Sequence, residues 1–320
     1  MPEDELILGR TLATHLHALV DKRLQRLAEC RHFGRTEDPG EALHDLRVAS
    51  RRLRAFGDVF CDSLGRRRHR KIDDALKRVI GAAGRARDWD VQIALSEALR
   101  TRATSNVEQM ALEYLLEQED VERARAVHRA KKGLRRVDFE ELCSSVRASF
   151  YGAIDALPQS APTLRAFARG WLEHFVSNGE AHELPVDPVD GSEQPETMHR
   201  LRIDLKKLRY ALELFEPILG TGYPRLYGRT SELQELLGSH HDLVVLGDFV
   251  ERQRRDLAEK RRPALSSSMG VLHETLVLER VSIATRYADA RFDADFWRAG
   301  IRSALGDYAA NGASTHVRDS

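Results

Sequence analysis

Two segments of the chain carry the same pattern of cations and histidine. One, LHDLRVASRRLRAFGDVF, begins at Leu43, and the other, MHRLRIDLKKLRYALELF, begins at Met198. A shift of 155 positions pairs His44 with His199, Leu46 with Leu201, Arg47 with Arg202 and Arg51 with Lys206. The same shift pairs Arg52 with Lys207, Leu53 with Leu208, Arg54 with Arg209 and Phe60 with Phe215. On a helix turning ~100° per residue, His44, Arg47, Arg51 and Arg54 share one arc of roughly 80°. Leu46, Ala49, Leu53, Phe56 and Phe60 fall on the opposite side. The second segment sets His199, Arg202, Lys206 and Arg209 opposite Leu201, Leu205, Leu208 and Phe215. Arg52 and Lys207 lie off the stripe, on its flank.

Like charges one helical turn apart repel by a few tenths of a kcal/mol per pair. A solvated helix relieves this by interleaving Glu, but the acids here, Asp45 and Asp204, stand off the stripe. The arrangement makes sense if an anion sits along the face. From His44 to Arg54 the stripe runs about 15 Å at ~1.5 Å per residue, which suits an extended polyanion better than a single phosphate. Arg offers planar forks to phosphate oxygens, Lys a point charge, and His a donor that strengthens on protonation. Taken singly, each stripe reads as a solvated helix face. The repetition favours a binding role.

The elements that must position these residues are helices. Apolar residues recur mostly three to five apart from Leu6 to Leu27, and period-two alternation is almost absent. Breakers at Pro39-Gly40, Gly65, Gly133, Pro158 to Pro162, Pro185 to Pro195, Gly220 to Pro224 and Pro263 divide the chain into ten to twelve helices. Glu183 to Thr197 reads as a loop and 313–320 as a frayed tail. A second echo, at a shift of 154, pairs Gly84-Arg85-Ala86-Arg87-Asp88 with Gly238-Ser239-His240-His241-Asp242. The sequence therefore predicts an all-α fold. One domain over 1–312 is built from a duplicated helical unit, about 1–157 and 158–312.

Composition narrows the function classes. Lys plus Arg is 50 and Asp plus Glu is 50, which argues against a nucleic-acid coat protein with a large positive excess. The three cysteines, Cys30, Cys61 and Cys143, are scattered and form neither a disulfide framework nor a metal knuckle. No apolar run approaches the ~18–20 residues of a membrane span, and the acidic N-terminus is not a secretory signal, so a cytoplasmic protein is expected. Phosphate-loop, dinucleotide, nucleophile-elbow and zinc-protease motifs are absent. No nucleophile–base–orienter set is present, so no catalytic residue, metal site or cofactor is expected.

Weaker candidates remain. Arg66-Arg67-Arg68-His69-Arg70-Lys71 reads as a solvated loop entering a helix. Arg87-Asp88 and His241-Asp242 read as internal ion pairs or helix caps. A metal-dependent phosphohydrolase using His44, His199 and His241 is the enzymatic alternative. A nucleic-acid binder using the same cations is another, disfavoured because Tyr210 is the one aromatic near the stripes.

The repeated His-x-Leu-Arg-x-x-x-[Arg/Lys]-[Arg/Lys]-Leu-Arg segments resemble the CHAD family, the conserved histidine α-helical domain. Its Leu-Gly-x-x-[Arg/His]-Asp element is matched at Leu237 to Asp242 and at Gly84 to Asp88, where Ala83 replaces the Leu. The likeness covers about residues 4–310. The resemblance implies two pseudo-twofold-related helical bundles with the basic helices meeting at a central groove. It implies inorganic polyphosphate as the ligand, held by His44, Arg47, Arg51, Arg52, Arg54, His199, Arg202, Lys206, Lys207 and Arg209. It also implies a non-enzymatic, stand-alone module, because the Glu-x-Glu-x-Lys strand of the triphosphatase fused to some members is missing. Such a module would follow polyphosphate granules. The alternative within the family is a scaffold or regulator docked on a polyphosphate-metabolising enzyme.

Overall fold

Among the described residues the apolar period of three to five folds into helices. The computed structural model describes residues 3–30, 39–157, 161–182 and 195–306. Most of the loop expected at Glu183 to Thr197, and the tail at 313–320, fall outside the described residues. The helices are α1 Glu3–Glu29, α2 Gly40–Val59, α3 Cys61–Leu64, α4 Arg66–Arg102, α5 Asn106–Leu134 and α6 Phe139–Asp155. They continue as α7 Ala161–Ala181, α8 Pro195–Leu214, α9 Glu216–Leu219, α10 Tyr223–Glu259, α11 Pro263–Ala290 and α12 Ala294–Leu305. A 3-10 turn, Gly220–Gly222, leads into α10. The described residues contain no strand.

The second six helices follow the order of the first six. α2 and α8 each have 20 residues, α3 and α9 have 4, and α4 and α10 have 37. Local chemistry sets several boundaries. Ser105 caps α5 by accepting from the Val107 amide at 3.2 Å, and Asp138 caps α6 by accepting from the Glu141 amide at 2.9 Å. Gly65, with φ of 75°, makes the turn from α3 into α4, a left-handed conformation that favours glycine.

The basic run from Arg66 to Lys71 is not a loop but the opening turns of α4. A loop is expected there because the run follows Gly65; the cations nonetheless sit at a helix N-terminus, where they oppose the macrodipole. His69 recovers part of the cost with Asp58, at 3.1 Å.

The main core joins α1, α2, α6, α7, α8 and α12, with Phe56 stacked on Phe150 at a centroid distance of 4.5 Å. All of Leu46, Ala49, Leu53, Phe56 and Phe60 are buried, as are Leu201, Leu205, Leu208 and Phe215. The apolar faces read from the sequence are thus the core faces. α2 packs on α4, α8 packs on α10, and α2 and α8 touch each other. A second, smaller core joins the far ends of the long helices. There Leu99, Leu112 and Leu115 meet Leu243, Leu246, Phe249, Leu272 and Leu276.

Candidate functional site

Because their opposite faces are buried, α2 and α8 bring cations from both sequence segments together. Lys206 on α8 senses Arg202 and Arg209 on its own helix, and Arg51 and Arg47 across on α2. Arg51 in turn senses Arg47 beside it and Arg202 opposite. Among the described residues, Arg51, Arg202, Lys206 and Arg209 form no ion pair. Arg209 Nε and His199 Nδ1 are buried without a hydrogen-bond partner.

The electrostatic consequences follow from burial first and like charge second. Together they hold the Lys206 ammonium down to about 7. Burial, then Arg202 and Lys206, lower His199. His241 on α10 lies with its ring 4.6 Å from that of His199, and burial followed by Arg202 pushes it down to about 4. His44 is lowered by burial and then by Arg87, Arg47 and Arg51, with Asp45 opposing. Each of these groups is held toward its neutral form in a site whose guanidiniums stay charged.

Two carboxylates missed as site residues lie at the edge of the cluster. Arg47 Nη1 donates to Asp88 Oδ1 at 2.6 Å and to the Gly84 carbonyl at 2.7 Å. In the second half a Cβ placed on Gly238 would sit 3.9 Å from Arg202 Nε, and Arg202 acts on Asp242, whose carboxyl burial pushes up. The Gly and Asp of both echoed elements therefore attend the first Arg of each stripe. Asp88 and Asp242 lie inside α4 and α10 and are not helix caps. The repeated Gly-x-x-x-Asp was the signal that could have tied them to Arg47 and Arg202.

Besides Arg47, three more of the ten candidates pair with carboxylates. Arg54 Nε donates to Asp73 Oδ1 on α4 at 2.6 Å, and Lys77 Nζ reaches the same carboxylate at 2.7 Å. Lys207 Nζ stands 3.7 Å from Asp204, whose other oxygen meets His182 Nδ1 at 2.7 Å. Arg52 Nη2 donates to Glu213 Oε1 at 2.8 Å, and Arg23 Nη2 donates to Oε2 at 3.1 Å. Glu213 and Arg52 line a separate cavity of about 390 Å³ with Lys22, Arg26 and Asp45. Glu213 holds two guanidiniums, one of them buried, so removing it leaves both without their anion. Glu213→Ala is expected to lower unfolding free energy by about 3–5 kcal/mol, the range for breaking a buried pair. Urea denaturation checks this, and an unchanged midpoint would contradict it.

No group of three or more His, Cys, Asp or Glu side chains that could hold a metal is found among the described residues. No helix among the described residues is long and apolar enough to cross a membrane.

The family model of the CHAD domain matches residues 17–251. The crystal structure of the CHAD domain from the plant Ricinus communis is similar, with a TM-score of 0.62 at 24% identity, over 91% of this chain and 92% of that chain. PptA from Streptomyces chartreusis is similar with a TM-score of 0.65 at 22% identity, over 88% of this chain and 99% of that chain. These two likenesses speak for the fold. No curated protein sequence matches the chain.

Proposed function

The chain belongs to the CHAD domain family, and from that premise we propose that it is a non-enzymatic module that binds inorganic polyphosphate between two duplicated helical units. One observation carries the reading. Arg51, Arg202 and Lys206, drawn from segments 155 positions apart, converge, and among the described residues none of them forms an ion pair, although Asp88 and Asp242 stand near. For the fold alone the assembly is unfavourable: burial and like charge lower Arg51, Arg202 and Lys206 although Asp88 and Asp242 act against this. Burial and mutual repulsion both oppose it, and neither is offset by a salt bridge. A bound polyanion supplies the missing counter-charge along the whole cluster at once.

In this reading Arg47, Arg51, Arg202 and Arg209 present forks to successive phosphate groups, and Lys206 adds a central point charge. His44, His199 and His241 flank the polymer as proton-dependent donors. Asp88 and Asp242 position Arg47 and Arg202. The cations Arg52, Arg54 and Lys207 form an outer ring, reaching the polymer only by exchanging their carboxylate partners. The net charge of zero keeps the rest of the surface from attracting anions, so the field is focused on one cleft. A protein of this kind decorates polyphosphate granules or brings a polyphosphate-metabolising enzyme to them.

The ligand class separates from nucleic acid by its lack of bases. Tyr210, the one aromatic the sequence places near the stripes, is buried, which disfavours base stacking on it. Equilibrium competition tests the distinction. Labelled long-chain polyphosphate should stay bound when single-stranded DNA is added at equal phosphate concentration. Displacement at parity would overturn the polyphosphate assignment in favour of general polyanion binding.

A further inference from the structure

The cavity of about 390 Å³ beside Glu213 lies between helices of the first and the second six. α1 and α2 supply one wall, and the end of α8, α9 and the start of α10 supply the other. Leu19, Val48 and Ala49 make it partly apolar, and its volume is that of a small-molecule site. Some of its polar groups are engaged with one another. Arg23, only 7% exposed, donates to the Leu19 carbonyl at 2.8 Å and to Glu213 at 3.1 Å. Arg52 Nη2 donates to the other oxygen of Glu213 at 2.8 Å, and Arg26 stands 3.6 Å from Asp45. Three donors and one carboxylate are left over. Arg52 Nε is buried without a hydrogen-bond partner. Among the described residues Lys22 forms no ion pair, the Tyr223 hydroxyl forms no hydrogen bond, and the exposed Glu216 carboxylate forms no ion pair. Burial and then Glu216 raise Tyr223, so its hydroxyl stays a donor.

Arg and Lys side chains donate and cannot accept, so Arg52 Nε and Lys22 call for an anion. A bare inorganic anion would also face Glu216 with no proton to offer it. A ligand that carries hydroxyls beside its anion answers both. The half-buried Tyr223 ring, 5.2 Å from that of Tyr227, adds a face for a planar group. We propose that this cavity is a binding site for a nucleoside monophosphate. The phosphate accepts from Lys22 and Arg52 Nε, the ribose hydroxyls donate to Glu216, and the base lies on Tyr223. Glu213 is a positioning residue, because its hold on Nη2 fixes the Arg52 guanidinium at the cavity wall. The sequence repeat does not carry these residues. The shift of 155 positions that pairs the cationic stripes sets Ser177 against Lys22, Asn178 against Arg23, Asp58 against Glu213 and Arg68 against Tyr223. The bundle forms with other residues at the equivalent positions, so the set around this cavity is not a requirement of the fold.

The proposal stands apart from the polyphosphate reading, and its test does not need the polymer. Full-length protein is titrated calorimetrically with adenosine monophosphate, and in parallel with adenosine, orthophosphate and ribose phosphate lacking the base. The nucleotide should bind one to one, and each fragment more weakly by roughly tenfold or more. Lys22→Ala removes one charge-assisted contact and should weaken the nucleotide by roughly ten- to hundredfold. Val48→Trp fills the cavity and should abolish binding, while Arg51→Glu, in the cationic cluster, should leave it unchanged. Circular dichroism checks that each variant is folded. No nucleotide binding by the parent protein would overturn the proposal, as would equal affinity for ribose phosphate. Loss of binding in Arg51→Glu with Lys22→Ala unaffected would place the nucleotide in the cluster and overturn it too. The expected pattern in a protein that fails to bind polyphosphate would sustain this site and sink the polymer reading alone.

Discussion

Reversing the two central cations together, Arg51→Glu with Lys206→Glu, is expected to lower affinity for long-chain polyphosphate by at least a hundredfold at low salt. A hydrogen bond to a charged group contributes about 1.5–3 kcal/mol. Losing two such contacts therefore costs ~3–6 kcal/mol, or two to four decades of affinity at 1.4 kcal/mol per decade. Repulsion between the new carboxylates and the polymer adds to the loss. Stability should move the other way. Arg47, Arg202 and Arg209 would gain anions in place of cations, so the melting temperature should rise while the circular-dichroism spectrum stays that of the parent. Sites tuned for a ligand at the expense of the empty fold show this opposition. Unchanged affinity in a folded double variant would rule out the cluster as the binding site. A fall in melting temperature would show that the cations are stabilised by something other than a ligand.

Polyphosphate binding is also expected to take up protons. In the free protein Lys206 is held down to about 7 and His241 to about 4, and His199 and His44 are lowered, in every case by burial first. A polyanion favours the charged form and raises all four. At pH 8 the Lys206 amine is mostly neutral before binding and charged after it, so close to one proton enters with the ligand. Affinity should then strengthen as pH falls from 9 toward 7, by up to ~10-fold per pH unit for one coupled proton. The histidines extend the trend to lower pH. Calorimetry at pH 8 in two buffers of different ionisation enthalpy reads the uptake directly. Lys206→Arg should keep the affinity and lose the uptake. Apparent enthalpies that agree between the buffers, with pH-independent affinity, would contradict the coupling. The free fold carries the reverse linkage. Lys206 is lowered on folding, so the cluster costs stability below pH 7, and that cost disappears as pH rises toward the ordinary lysine value near 10.5.

Much of this site was legible in the sequence because its two governing constraints are local. The apolar set from Leu46 to Phe60 fixes which way α2 faces, and the set from Leu201 to Phe215 does the same for α8. The 155-residue echo pairs the two helices in sequence, and they pack against each other. What the helical wheel cannot supply is the chemistry of the neighbouring helix. Arg54 shares the arc of Arg51, yet Asp73 on α4 takes its guanidinium, while among the described residues the equivalent Arg209 forms no ion pair. Arg52 finds Glu213, 161 positions away, a distance no local pattern bridges. The Gly84 and Asp88 echo was visible, but its meaning was not. It depends on Arg47 reaching across from α2 to a backbone carbonyl in the middle of a 37-residue helix.

In the proposed function, cations from both segments form one site for a linear polyphosphate. Calorimetric titration with long-chain polyphosphate at two salt concentrations tests it most directly, with orthophosphate titrated in parallel. The account predicts tight binding to the polymer that weakens steeply with salt, as counterion release requires of a ligand contacting several cations. It predicts far weaker binding of orthophosphate, which can satisfy one or two cations at a time. No binding of the polymer at low salt, or equal affinity per site for orthophosphate, would contradict it.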